Sequence, residues 1–372
     1  MPIRDIFDKP FDDGTIVKLE IFQKYFEEWL PVFVMSRNPK PIQVFDLFAG
    51  SGYDQNHVPG SPIRTLEVIA KHRRILAQKK KQVFVFLNDA DSQKIEQLRI
   101  NIEQKVKDLS IQSMVVTQFS ARDFRDSVLN DHTKELKSGN NLIFIDQNGF
   151  KEVNEQLFQF LMSLDTTDFI FFVSSSYVHR FPDEPEVRRH HPRFDFDKIK
   201  NTSWKKVHNV VCDEFRRYVP SNVKRYWIIP FSIMKPDMVN IYGLIAVTKH
   251  PLGADKFLNA AWKENALNGN ANFDIEEEEK KKQGDFFKPR TLTKIESFQL
   301  MLQELILKRN IKNNSDAYYL TLDEGHIGKH ANEKIMEMKR DKLITFDSPS
   351  SLVNYKKVEK EKRIIEYKLV KK

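Results

Sequence analysis

Cysteine is almost absent: Cys212 stands alone in 372 residues. One thiol builds neither a disulfide framework nor a cysteine-ligated metal cluster within the chain. Its place on a helical stripe between Val207 and Phe215 reads as a buried apolar side chain. No run approaches the roughly 18 apolar residues that a membrane span requires, and the amino-terminal "MPIRDIFDKP" lacks the apolar core of a signal peptide. Those absences lead to the expectation of a cytoplasmic protein. Charge of one sign is also not dominant: 60 Lys and Arg against 52 Asp and Glu leave a net +8, compatible with a nucleic-acid partner without requiring one. His179, His190 and His191 lack the carboxylate–histidine spacing of a metal site and read as part of a polar loop, so no metal is expected.

The length suggests one large and one small domain. The low-complexity stretch "IEEEEKKKQGDFFKPR" at 275–290 reads as a solvated linker. The expected division is a helical extension at 1–40 packed on a main domain at 41–272, a charged linker at 273–290 and a small domain at 291–372. In the main domain, nearly all-apolar runs at 43–48, 82–88, 113–117, 141–146 and 168–173 read as strands covered on both faces. Helical stripes lie between them, marked by Ile63, Leu66, Ile69 and Leu76, then by Ile95, Leu98, Ile102 and Leu109, then by Val153, Leu157, Phe160 and Leu164. A polar segment at 174–193 and a helix at 204–218 follow, and then "RYWIIPFSI" and "IYGLIAVTK", close enough to pair antiparallel. Five βα units ending in a hairpin give the α/β, Rossmann-like order of a class I methyltransferase sheet.

In "QVFDLFAGSGYDQNHVPGSPIRTLE" at 43–67, Asp46 ends the first strand and Gly50 and Gly52 occupy the turn, where a ligand can lie against bare backbone. The third glycine of a dinucleotide fingerprint is missing, since Gln55 stands there, and the acid precedes the glycines. That order repels a pyrophosphate and suits the ammonium of S-adenosylmethionine. "NDAD" ends the second strand with Asp89 positioned for both ribose hydroxyls, and "SARDF" follows the third with Asp123 for the adenine amine and Phe124 over the ring. Phe48 and Ala90 complete the expected cofactor site. Each acid alone is equally well a helix N-cap, but three at successive strand ends fit one adenosine-sized site. Ser61 followed by Pro62 reads as a cap and first helical residue, leaving 53–60, with Tyr53, Asp54, His57 and Gly60, as an inserted lid or a solvated loop.

The fourth strand ends in "NLIFIDQNGF". Asp146 could take the acceptor's proton, and the amides of Gln147 and Asn148 could orient the acceptor; a plain polar turn is the alternative. With "KLEIFQKYFEEWLP" at 18–31, "FDLFAGSGYD", "GSPIRTLE", "IYGLIAVTKHPLGADKFLNAAW" at 241–262 and "GKHANEKIMEMKRDKLI", the chain resembles, over nearly its whole length, the three-Cys-motif partner proteins, class I methyltransferase-like proteins of bacteria and archaea. The resemblance implies a separate partner with a three-cysteine motif suited to an iron–sulfur cluster. The family pattern has Asp-Pro-Phe-Gly where this chain has Asp146, Gln147, Asn148 and Gly149, a departure that bears on catalysis more than on cofactor binding. The expected function is methyl transfer to nucleic acid; the alternative is a catalytically silent adaptor that binds cofactor and nucleic acid.

Beyond Thr291, stripes around Phe298, Met301, Leu302 and Leu305, around 317–322, and at 330–340 precede "KLITF" and "IIEYKLV". Three helices and a hairpin read as a winged helix. Its third helix offers Lys329, His330, Asn332, Lys334 and Lys339, and its wing Lys356 and Lys357, as contacts to phosphates, although winged helices also dock proteins.

Overall fold

The computed structural model describes residues 10–37, 39–123, 132–147, 149–234, 240–283 and 291–370. Contacts divide the chain into two units, 1–249 and 250–372.

The first unit is built on seven strands: β1 Ile42–Asp46, β2 Val83–Asn88, β3 Val115–Ser120, β4 Asn140–Ile145, β5 Thr167–Val173, β6 Trp227–Met234 and β7 Ile241–Thr248. They lie in the order β3-β2-β1-β4-β5-β7-β6. The first five run parallel, and β7 is antiparallel to both β5 and β6. This is the order expected of a class I methyltransferase sheet. β1 and β4 are buried at every residue, which explains their unbroken apolar runs. Strand order reverses between β1 and β4, so a crevice opens at their carboxyl ends. In register, Asp46 lies beside Leu87 of β2 and Phe144 of β4.

Helices cover the sheet with the faces that their stripes mark. α1 Asp13–Val34 starts where the Asp12 side chain accepts from the Thr15 amide. It is an integral layer of the unit: Phe22 stacks on Phe144 with ring centroids 4.4 Å apart, and Tyr25 Oη and Trp29 Nε1 both donate to Asp168 of β5, at 2.8 and 3.0 Å. α2 Ser61–Lys71, α3 Ser92–Leu109, α4 Glu155–Ser163 and α5 Val207–Phe215 pack their apolar stripes inward. Asp91 and Asn154 cap α3 and α4. The segment expected as a polar loop at 174–193 instead forms short helices at Ser175–Arg180 and Pro185–His190, anchored by buried Val178 and Val187. Cys212 is buried, as its stripe suggested.

The second unit holds α6 Pro251–Glu264, α7 Lys294–Leu307, α8 Asn314–Asp323 and α9 Gly328–Arg340, followed by an antiparallel pair, β8 Ile344–Thr345 and β9 Lys368–Leu369. Between these two strands the chain makes a π-helical turn at Lys356–Lys360. The unit begins well before the charged stretch at 273–290, because α6 packs there: Trp262 Nε1 donates to the Gly325 carbonyl, and the Trp262 ring lies 4.3 Å from that of His330. Charge density alone misled the boundary, since Glu278 is buried and accepts from the Lys294 amide at 2.7 Å and from Lys281 Nζ at 2.7 Å. Residues 284–290 lie outside the described ones. No helix among the described residues is long and apolar enough to cross a membrane.

Candidate active site

The glycine turn leaves β1 fastened on both sides. The Leu47 amide donates to the Phe144 carbonyl of β4, and the Ala49 amide to the Asn88 carbonyl of β2. Gly50 and Gly52 adopt φ of 59° and 92°, which L side chains rarely take. A Cβ on Gly52 would stand 2.9 Å from Leu98 Cδ1 of α3, so this glycine is fixed by helix packing as well as by the turn. Asp89, at the end of β2, accepts from the Gly50 amide through Oδ2 and from the Asp91 amide through Oδ1, each at 3.0 Å. It therefore ties the turn to the second strand while remaining half-buried at the crevice.

Asp46 is the unusual group. Its carboxylate is fully buried; Oδ1 accepts a long 3.4 Å bond from the Phe48 amide, and Oδ2 finds no hydrogen-bond partner among the described residues. Burial is the largest influence and pushes the carboxyl up to about 7. The Ser61 hydroxyl and the Phe48 amide offset part of that rise, while the charges of Asp146 and Asp89 add to it. A buried carboxylate oxygen without a donor calls for one.

The inserted loop is internally braced. Asp54, expected in a lid or a solvated loop, is buried and accepts from the amides of Asn56 and Val58 at 2.9 and 2.7 Å and of Phe11 at 2.7 Å. Tyr53 and Pro59 bridge across the loop, and the Gly60 amide closes it on the Gly52 carbonyl at 2.8 Å. α2 does begin at Ser61, but Gly60 holds the cap position and no side chain caps the helix. The Ser61 hydroxyl instead lowers the proton affinity of Asp46.

Of the remaining expected cofactor residues, Phe48 is half-buried and Ala90 and Asp123 are exposed around the crevice; Phe124 lies outside the described residues. At the end of β4 the expected roles change. Lys18 Nζ, reaching over from α1, meets both oxygens of Asp146 at 2.6 and 2.8 Å and lies 4.5 Å from the Phe172 ring centroid. Side-chain exposures of 8% and 11% make this a buried ion pair. Gln147 was expected to orient an acceptor, but its Nε2 donates to the Phe172 carbonyl of β5 at 2.7 Å and its Oε1 accepts from the Glu152 amide at 2.7 Å, so its amide braces the loop after β4 and fastens it to β5. Asn148 lies outside the described residues. Lys18 was not singled out from sequence, although it opens an aromatic stripe with Phe22, Tyr25 and Trp29 on one face of α1, where a lysine needs a reason.

In the second unit, helical periodicity turns part of the expected phosphate-reading face inward with Ala331, Ile335 and Met338. His330 is buried, its Nδ1 3.0 Å from His326 Nδ1, and burial pushes it down to about 4, leaving it neutral. Lys334 is buried and pairs with Glu337 at 2.8 Å. Asn332 donates to the carbonyls of Gly328 and Val353 and accepts from Ser351 and the Val353 amide. Lys339 donates to the carbonyls of Phe346 and Ser348. Lys329 and Lys356 remain exposed, and Lys357 is half-buried against Glu361. No group of three or more His, Cys, Asp or Glu among the described residues could hold a metal ion.

No protein-family model matches the chain, and no curated protein is similar to it. Among solved structures it is similar to Trm1 from Pyrococcus horikoshii in complex with S-adenosyl-L-methionine, at 10% identity and a TM-score of 0.36 over 67% of this chain and 59% of that one. It is also similar to the DszA carbon methyltransferase, at 12% and 0.34 over 61% and 53%, and to the METTL16 methyltransferase domain, at 8% and 0.30 over 60% and 66%. The match thus spans less than two thirds of each of those chains.

Proposed function

We propose that the protein is an S-adenosylmethionine-dependent methyltransferase acting on nucleic acid. The observation that carries this reading is the buried, donorless Oδ2 of Asp46 beside a glycine turn whose Gly50 amide is held by Asp89. The residues fit the cofactor: Asp46 would accept from its ammonium, Gly50 and Gly52 would leave the backbone bare beside it, and Asp89, with one lone pair on each oxygen still available, would accept from the ribose hydroxyls. When bound, the cofactor supplies a sulfonium-activated methyl group. Lys18 holds Asp146 in a fixed position, where it can accept from an acceptor amine once the lysine gives up one oxygen.

The nucleic-acid part of the reading draws on the helices and strand pair of the second unit as a winged helix, with Lys329 and Lys356 as its exposed cations. The iron–sulfur partner rests on the sequence resemblance. A second reading, the catalytically silent adaptor, is favoured by one observation: the Gln147 amide bonds to Phe172 and Glu152 and Asp146 is clasped by Lys18 through both oxygens, so both are engaged within the protein.

Titration calorimetry tests the proposal. Heat with S-adenosylmethionine, absent with NAD and lost in Asp46→Asn and Asp89→Ala, is the expected result; no heat from folded protein overturns it. Methyl transfer from labelled cofactor to bulk RNA or DNA then separates enzyme from adaptor.

A further inference from the structure

The segments leaving β4 and β5 carry aromatic rings outside the candidate cofactor residues. Phe150 stands four residues past Asp146, and the Ser174 amide donates to the Gly149 carbonyl at 2.9 Å, which ties the two loops together at the carboxyl edge of the sheet. From there the rings form a series. Phe150 stacks on Tyr177 with centroids 5.3 Å apart and planes 21° apart, and Tyr177 meets Phe181 at 5.0 Å. Burial falls along it: Phe150 is buried, Tyr177 half-buried and Phe181 42% exposed.

A single exposed aromatic needs no explanation. Here the exposed ring ends a stack that begins beside the candidate reaction site, and two further features accompany it. Arg180, also exposed, holds its guanidinium 5.8 Å from the Phe181 centroid, steadied by an Nε bond to the Ser176 carbonyl. At Gly149 an added Cβ would meet nothing within 4 Å, so the loop beside Asp146 borders open space. Stacked rings with an adjoining guanidinium are what unpaired bases on a phosphate backbone require: every base has a π face, and the cation serves ring and phosphate alike. A base inside a duplex could not reach rings at a sheet edge without leaving its stack.

We infer that the Phe150–Tyr177–Phe181 series is a stacking platform for an unpaired nucleobase of a single-stranded or locally opened acceptor. This inference rests on the nucleic-acid reading of the same site and narrows it to a strand conformation.

The test is fluorescence anisotropy with the full chain and labelled single-stranded DNA and RNA of about 12 nucleotides, a length that one groove can cover, beside the corresponding duplexes. Wild type should prefer the single strands. Phe181→Ala should weaken that binding by roughly 5- to 100-fold without changing its salt slope, and Phe181→Trp should restore it. The Ala variant loses an exposed ring, so an unchanged melting curve checks that it is folded. Binding that Phe181→Ala alters by less than about twofold, or equal affinity for duplex, overturns the platform. If the protein gives heat with S-adenosylmethionine but binds neither strand, the platform falls and the cofactor reading stands. If strands bind through Phe181 but S-adenosylmethionine gives no heat, the cofactor reading falls and the platform stands.

Discussion

Two carboxylates end adjacent strands of one sheet and meet opposite circumstances. Asp46, after β1, is fully buried with one oxygen lacking a donor, and its proton affinity is raised. Asp146, after β4, is clasped by Lys18 through both oxygens. A cation delivered by the fold makes a carboxylate part of the structure; a carboxylate left wanting one is open to a cation from a ligand. On the proposed function, binding belongs to the end of β1, while the clasp anchors α1 at the end of β4, and opposite signs are predicted when each charge is disturbed.

The largest effect is expected at Asp46. Its folded pKa lies above its unfolded value, so the native state holds a proton that the unfolded chain has already released. Stability from this group is therefore complete below about pH 4 and is lost as pH rises through about 7. A shift of about 3 units at about 1.4 kcal/mol each makes the loss at most ~4 kcal/mol. Asp46→Asn should remove that part of the slope and exceed wild type in stability above pH 7, as read from urea unfolding across pH. Saturating S-adenosylmethionine should flatten the wild-type slope in the same way. Parallel profiles for wild type and variant would erase the contrast between the two acids.

Removing the cation from the other acid should do the reverse. Lys18→Met leaves the nearly buried Asp146 without its cation, at an expected loss of about 3 kcal/mol, and adding Asp146→Asn should recover most of it. A double-mutant cycle by denaturant unfolding measures this. A coupling below about 0.5 kcal/mol would make the pair a passing surface contact.

Much of this contrast was legible in the sequence, and the reason for the remainder is physical. Asp46, Gly50, Gly52 and Asp89 stand at strand ends that the apolar runs mark, because a strand covered on both faces shows itself in composition. The partner of Asp146 was not readable, since Lys18 lies 128 residues away and no local pattern encodes a contact of that range. The role of Gln147 failed in part for the same reason: one of its partners, the Phe172 carbonyl of β5, is set by how the loop after β4 packs on the neighbouring strand. In α9, two polar residues of the expected reading face, His330 and Lys334, proved buried, because they share a face with Ala331 and Ile335. Periodicity locates a face; only packing says what covers it.

The glycine turn that follows Asp46 gives a smaller effect. Gly52→Ala places a methyl group 2.9 Å from Leu98 Cδ1 at φ 92°, and both strain and contact should destabilise the fold by about 2 kcal/mol. Leu98→Ala in that background removes the clash and leaves the dihedral strain. Thermal melts of the two variants then divide the glycine's role between turn and packing; no change on Gly52→Ala would mean that the turn is not held as described.

Ser61→Ala makes the finest cut, because the two readings of this residue differ in pH dependence. As a helix cap, its loss would weaken α2 by about 1 kcal/mol at every pH. As the hydroxyl that lowers the proton affinity of Asp46, it stabilises only the charged carboxylate. Its removal should therefore cost little near pH 4, where Asp46 is protonated, and about 1 kcal/mol above pH 7, and it should move the end of the stability decline to higher pH. The structure favours the second course, since Gly60 occupies the cap position and α2 has no side-chain cap. Unfolding free energies of Ser61→Ala at pH 5 and pH 8 decide between them. Equal losses would return Ser61 to the helix and leave Asp46 without its one hydroxyl, whereas a loss confined to pH 8 would tie the start of α2 to the charge that the first strand presents.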